Sequence, residues 1–106
     1  MAATLLKNNA VTSSEPPNPT SFADYVGSVV VLDAAHGFVI LGTLVLANDQ
    51  YLTLENVDVH DLRETQTTRD LYILDSHHYG VRANRRKTTI RRDEILGMSL
   101  LEDVID

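Results

Sequence analysis

The hydrophobic and polar positions of this chain divide it into a polar tail, a strand-rich body and one helix-like interval. Residues 1–19 hold Asn8, Asn9, Ser13, Ser14, Pro16, Pro17, Asn18 and Pro19 with little apolar material between them, which predicts a flexible N-terminal tail. Residues 20–106 read as one domain. Thr20 or Ser21 offers a cap for one or two helical turns through Phe22-Ala-Asp-Tyr-Val, ending at Gly27. From Ser28 the period changes. Ser28–Asp33 (SVVVLD) is a β-branched run, Ala34-Ala35-His36-Gly37 a turn, and Phe38–Ala47 a second strand that is apolar on both faces. Phe38, Ile40, Leu44 and Leu46 share one face; Val39, Leu41 and Val45 share the other. A strand with one wet face alternates apolar with polar, so this one is central in a sandwich or wraps round a small closed core. Gly42 in its middle predicts a sharp bend.

Asn48-Asp49-Gln50 is a polar turn leading into a third strand, Tyr51–Leu62. Its apolar phase runs Leu52, Leu54, then Val57, Val59, a slip of one near Glu55–Asn56 that a β-bulge would produce. Arg63–Thr68 is a polar connection. Thr67/Thr68 followed by Asp70 resembles a capping box, and Gly80 suits the residue after a helix end, so Arg69–Tyr79 is read as a helix. An edge strand through Leu71–Leu74 is the competing reading. Thr88–Arg92 and Ile95–Leu101 are two further short strands about the tight Arg92-Asp93-Glu94. A short helix followed by five strands in meander order is a mostly β, partly closed small barrel. Five short strands barely close, so an edge stays open and must be covered or paired with another subunit.

Composition narrows the class. The chain has 106 residues, 43% of them hydrophobic, and no Cys, which removes disulfides, thiol nucleophiles and thiolate metal sites. The stretch 26–47 is apolar but cut by Asp33 and His36, and its longest clean run, Gly37 to Ala47, is about half the ~20 residues a membrane helix needs. Met1–Ala10 lacks the pattern of a signal peptide, and the expected compartment is cytoplasmic, or nuclear in a eukaryote. The formal charge is −6, unlike a protein that simply coats nucleic acid. That net value hides an asymmetry. Arg82, Arg85, Arg86, Lys87, Arg91 and Arg92, six of the nine basic residues, fall within Arg82–Arg92, which contains no acid. Such a stretch reads as a localised anion site, as a solvated hairpin, or as cations that neutralise the acidic face of a neighbouring subunit.

At these residues the chain resembles the Sm/Sm-like (LSm) family. YVGSVVVLDAAHGFVILGTLVLANDQYLTLENVDV, from Tyr25 to Val59, is similar to the family's first motif, with Gly37 in the turn, Gly42-Thr43-Leu44, a polar loop and Leu52-Thr53-Leu54-Glu55. TIRRDEILGMSLLED, from Thr89 to Asp103, is similar to its Ile-Arg-Gly-Asp-Asn-Ile motif. The resemblance implies an Sm-like fold: a short N-terminal helix and a strongly bent five-stranded antiparallel open barrel, here with an extended insertion between strands three and four. It also implies a ring of copies, a hexamer or heptamer, in which the fourth strand of one subunit pairs with the fifth of the next. Single-stranded RNA, U-rich in the family, would lie at the pore of this ribonucleoprotein ring, clamped by Asn48, Asp49, Gln50 and Tyr51 from one loop and Ile90, Arg91 and Arg92 from the other. A base stacks on an aromatic or guanidinium plane while polar groups read its edge, and repetition round the ring multiplies weak contacts. Tyr51 stands where the family's base-reading Asn is expected, Arg92 replaces the motif's Gly, and the connection from Asp61 to Thr88 is longer than in a minimal member.

Each candidate has a plainer reading beside it. Arg91 and Arg92 clamp RNA or make ion pairs between subunits. Tyr51 stacks a base or is a half-buried strand opener, and Asn48-Asp49-Gln50 is first of all a turn. Arg82, Arg85, Arg86 and Lys87 are candidate phosphate contacts outside the pore. His77, His78 and Asp75 do not share a direction and have no third ligand at suitable spacing, so no metal or cofactor is expected. No hydrolase or phosphate-loop motif is present, and the chain is read as non-catalytic. The alternative function is an Sm-like ring scaffold for protein partners that has lost RNA binding, docking through the 63–81 insertion at Tyr72, Ile73 and Tyr79.

Overall fold

A computed structural model describes residues 21–106; the tail predicted over 1–19 and the cap candidate Thr20 lie outside the described residues. A 3-10 turn at Phe22–Tyr25 precedes β1 (Val29–Ala34), β2 (Phe38–Ala47), β3 (Tyr51–Asp61), α1 (Arg69–Tyr79), β4 (Arg85–Arg91) and β5 (Ile95–Leu100). Further 3-10 turns occupy Ala35–Gly37, Leu62–Glu64, Arg92–Glu94 and Leu101–Asp103. The expected N-terminal helix is thus a single tight turn, in which the Ser21 N–H donates to Asp24 Oδ2 at 3.0 Å. The bounds of β2 and α1 agree with the sequence pattern. β4 begins three residues before the expected Thr88, because Arg85 and Lys87 pair with Val57 and Glu55 of β3. Main-chain pairing does not require apolar side chains on an open edge, so the basic run hid this end of the strand.

The sheet order is β4-β3-β2-β1-β5, with every neighbouring pair antiparallel. The first four strands form the expected meander. β5 departs from it: rather than lying beside β4, it crosses to pair with β1. Only Arg92–Glu94 separates β4 from β5, although they occupy opposite ends of the sheet order, so the sheet is rolled on itself. Gly42 permits the bend. A Cβ there would lie 3.1 Å from the Glu55 carbonyl oxygen and 3.3 Å from Val57 Cα, so β3 packs too closely for a side chain unless its main chain gives by a few tenths of an ångström. The predicted slip in β3 is a bulge at Asn56, whose φ is 52°, and the register moves from Thr43↔Glu55 to Leu41↔Asp58 across it. A second irregularity, between Leu44 and Leu46, corrects the face assigned to Leu46. It is 53% exposed, while Ala47 packs towards the core.

The two-faced apolar pattern of β1 and β2 has a direct cause. Val30, Leu32, Ala34, Ile40, Leu44, Leu52, Leu54 and Val57 fill the rolled sheet. Val31, Val39 and Leu41 point the other way, into a second cluster covered by Leu62, Tyr72, Ile73, Val81, Leu101 and Val104. α1 and the Leu101–Asp103 turn therefore roof the outer face. The helix is punctuated as its sequence predicts. Thr68 Oγ1 accepts from the Leu71 N–H at 3.2 Å, and Gly80, at φ 90°, donates its N–H to Ser76 O at 2.8 Å. Arg69 pairs with Asp33 at 2.6 Å, tying the start of α1 to the end of β1.

Candidate nucleic-acid interface

Asn48 builds the β2–β3 turn. Its Oδ1 accepts the N–H groups of Gln50 at 2.9 Å and Tyr51 at 2.8 Å, while its own N–H donates to Tyr51 O at 3.0 Å. This side-chain mimic of a backbone turn is why Asn serves here. The β3–β4 ladder sets Tyr51 opposite Arg91. Arg92 then locks the two loops together: its N–H donates to Gln50 O at 2.8 Å and its guanidinium to Asn48 O at 2.9 Å. The guanidinium also lies over the Phe22 ring, 4.6 Å from its centroid, and 3.9 Å from Asp49. Where the family motif has Gly, this chain has a side chain that staples the N-terminal turn to the rim.

The result is an open cleft of about 310 Å³ lined by Asp49, Gln50, Tyr51, Arg91, Arg92 and Asp93. Two segments far apart in sequence thus line one cleft. Asn48 lies beneath the cleft as its scaffold. Ile90 pairs with Leu52 across the ladder and packs against the core, so its side chain supports the cleft from within. Asp93 was not among the sequence candidates, though its place two residues after Arg91 in a tight turn is a signal for it. It holds the Arg91 guanidinium at 2.7 Å, and that hydrogen bond pushes the arginine further above its already high range. The formal charges of Arg91 and Arg92 are balanced by Asp49 and Asp93. Tyr51 is 44% exposed and presents a ring beside these guanidinium planes. Chemically, this is a surface for stacking and edge contacts, with its cations already oriented.

Arg85, Arg86 and Lys87 lie towards the start of β4, at the opposite end of the strand from the cleft. Lys87 approaches Glu55 at 3.9 Å, and Arg85 donates to Asn84 O at 3.3 Å. Arg82 lines a separate cavity of about 340 Å³ between α1 and β3, with Asp58, His60 and Tyr72. There the Tyr72 hydroxyl donates to the buried Asp58 carboxylate, which also accepts from Asn84 Nδ2 at 3.2 Å. Tyr72 stacks on His60 at 4.1 Å. Tyr72 and Ile73, two of the three expected docking residues, are therefore turned inward; Tyr79 is 78% exposed. His77 Nδ1 faces Leu101 O at 2.9 Å and His78 Nε2 faces Asp106 at 3.0 Å. Among the described residues no group of three or more His, Asp or Glu is placed to hold a metal ion.

No protein-family model matches the sequence, and no curated protein matches it. Solved structures do share its fold. The Sm protein of Pyrococcus abyssii, in complex with a uridine heptamer, superposes with a TM-score of 0.51 at 18% identity, over 74% of this chain and 89% of that one. A chain of the NatC complex bound to CoA superposes with a TM-score of 0.52 at 13% identity, over 79% of this chain and 88% of that one. At such identities the likeness speaks to architecture, and together with the rolled five-stranded antiparallel sheet it gives this chain the Sm-like fold.

Proposed function

We propose that the chain binds single-stranded RNA without catalysis, as a closed ring of copies with the Tyr51–Arg91–Arg92 cleft of each facing a common pore. The observation that carries this reading is the convergence of the Asn48–Tyr51 and Arg91–Asp93 segments into one cleft with an exposed ring beside two fixed guanidinium groups. The Pyrococcus protein of the same fold was solved with a uridine heptamer, which supports RNA as the ligand class. Nucleotide binding in such a cleft rests on stacking and on cations that need little further ordering. The test is binding of short U-rich and A-rich RNA at two salt concentrations, by the wild type, Arg91→Ala and Tyr51→Ala. Each substitution is expected to cost roughly 1–3 kcal/mol per bound base, with weaker binding at higher salt. Salt-insensitive or absent binding to both RNAs would overturn the proposal.

A second reading has its own support. Each guanidinium in the cleft already faces a carboxylate, and another structure that shares this fold is a chain of the NatC complex. In that reading the chain is a scaffold, with Leu71 and Tyr79 on the exposed side of α1 as its contact points. Leu71→Asp/Tyr79→Asp leaves the packed side of α1 intact and should abolish partner binding, and under this reading the wild type binds neither RNA.

A further inference from the structure

The two borders of the rolled sheet carry opposite charges at their outer ends. β4 pairs only with β3, and β5 only with β1, so each presents one unpaired main-chain edge among the described residues. Because only Arg92–Glu94 joins them, β4 runs into the rim that holds the cleft and β5 runs away from it. When copies surround that rim, β4 of one therefore lies antiparallel to β5 of the next. The start of β4 then adjoins the end of β5. Aligning Arg91 with Ile95 sets Arg86 opposite Leu100 and Arg85 opposite Leu101, next to Glu102 and Asp103.

We infer that Arg85 and Arg86 of one copy make ion pairs with Glu102 and Asp103 of the adjacent copy, closing the outer end of the subunit contact. This rests on the ring proposed above and replaces the phosphate role considered for these arginines. All four side chains are exposed, and none has an ion-pair partner among the described residues. The acidic turn is held in place: Leu101 packs in the second core cluster, and its carbonyl lies 2.9 Å from His77 Nδ1 of α1. The helix between β3 and β4 thus presents Glu102 and Asp103 at a fixed position, which limits the entropy lost on pairing. Unpaired strand edges supply adhesion, and complementary charges select the partner edge and its register.

The experiment is native mass and sedimentation of nuclease-treated protein at rising salt, for the wild type and three charge variants. Arg85→Glu/Arg86→Glu and Glu102→Lys/Asp103→Lys each place like charges at every contact. Each is expected to raise the concentration for half-assembly about tenfold or more. The quadruple variant restores opposite charges in reverse and should assemble like the wild type. Assembly should weaken between about 0.15 M and 1 M salt, as the screening length falls from about 8 Å to about 3 Å. Circular dichroism confirms that each variant is folded. Wild-type rings with unchanged assembly in both double variants, or a folded quadruple variant that stays dissociated, would overturn the ion pairs and leave the ring standing. A wild type that is monomeric at every salt concentration would overturn the ring and the ion pairs together.

Discussion

Single residues set the limits of this fold, and two of them give sharp tests. Gly42 sits where β2 and β3 approach closely, and a Cβ there would meet the Glu55 carbonyl oxygen and Val57 Cα of the main chain as well as Val57 Cγ2. The main-chain atoms cannot step aside as the end of a flexible side chain could. Gly42→Ala should therefore destabilise the protein by about 1–3 kcal/mol, read as a lower urea midpoint at an unchanged slope. Tyr72 reports on the covered outer face. Burial, and then its hydrogen bond to Asp58, raises its pKa far above the ordinary phenol range. The proton stays on in the folded state while the unfolded chain loses it near pH 10, so stability falls as pH rises beyond that point. The phenolate absorbance of the wild type should match that of Tyr72→Phe until alkaline unfolding, and exceed it afterwards. An extra ionisation in the folded wild type would contradict this placement. The bend at Gly42 and the bulge at Asn56 were legible in the sequence as a lone glycine and a slipped phase. The Asp58–Tyr72 bond was not, because no periodicity links a strand residue to a helix residue across a turn.

At the level of elements, α1 shows how local signals and tertiary packing divide the work. Its ends follow from Thr68 and Gly80, whose roles depend only on neighbouring main-chain groups. Thr68→Ala should cost about 1 kcal/mol, and Gly80→Ala, at φ 90°, about 1–2 kcal/mol. Both losses are measurable by urea titration followed at a helical dichroism band. The side of the helix that is buried was not legible. Tyr72 and Ile73 looked like docking residues in an insertion, yet they cover Val31, Val39 and Leu41. That apolar outer face of β1 and β2 was visible in the sequence; its cover lies elsewhere in the chain. The start of β4 was hidden for the converse reason, since its strand character comes from pairing with β3 and not from its own side chains.

For the whole molecule, the decisive fact is a sheet with two borders left open among the described residues and a cleft at the turn that joins them. A ring uses both at once, pairing the borders and repeating the cleft round a pore. The proposal predicts a native mass that is a multiple of 11.8 kDa after nuclease treatment, and a lone monomer in dilute solution would exclude it. The same measurement without nuclease reports co-purifying RNA as added mass and ultraviolet absorbance. Charge also acts at this scale. The net −6 opposes non-specific binding to RNA, and of the clustered basic residues only Arg91 and Arg92 line the cleft, so the proposed binding should weaken with salt less steeply than that of a basic protein.

The sequence by itself determined what depends on near neighbours: strand and helix periods, caps, the polar turn at Asn48, the bend at Gly42 and the slip at Asn56. It also carried the two motifs, because short-range main-chain demands fix glycine, asparagine and the alternation of apolar residues. Only the tertiary structure decided that β5 joins β1, that α1 roofs the outer face, that Arg92 reaches Asn48 and Phe22, and that Ile90 turns into the core. Those outcomes depend on which distant surfaces can exclude water together, a property of the folded chain that no local pattern contains.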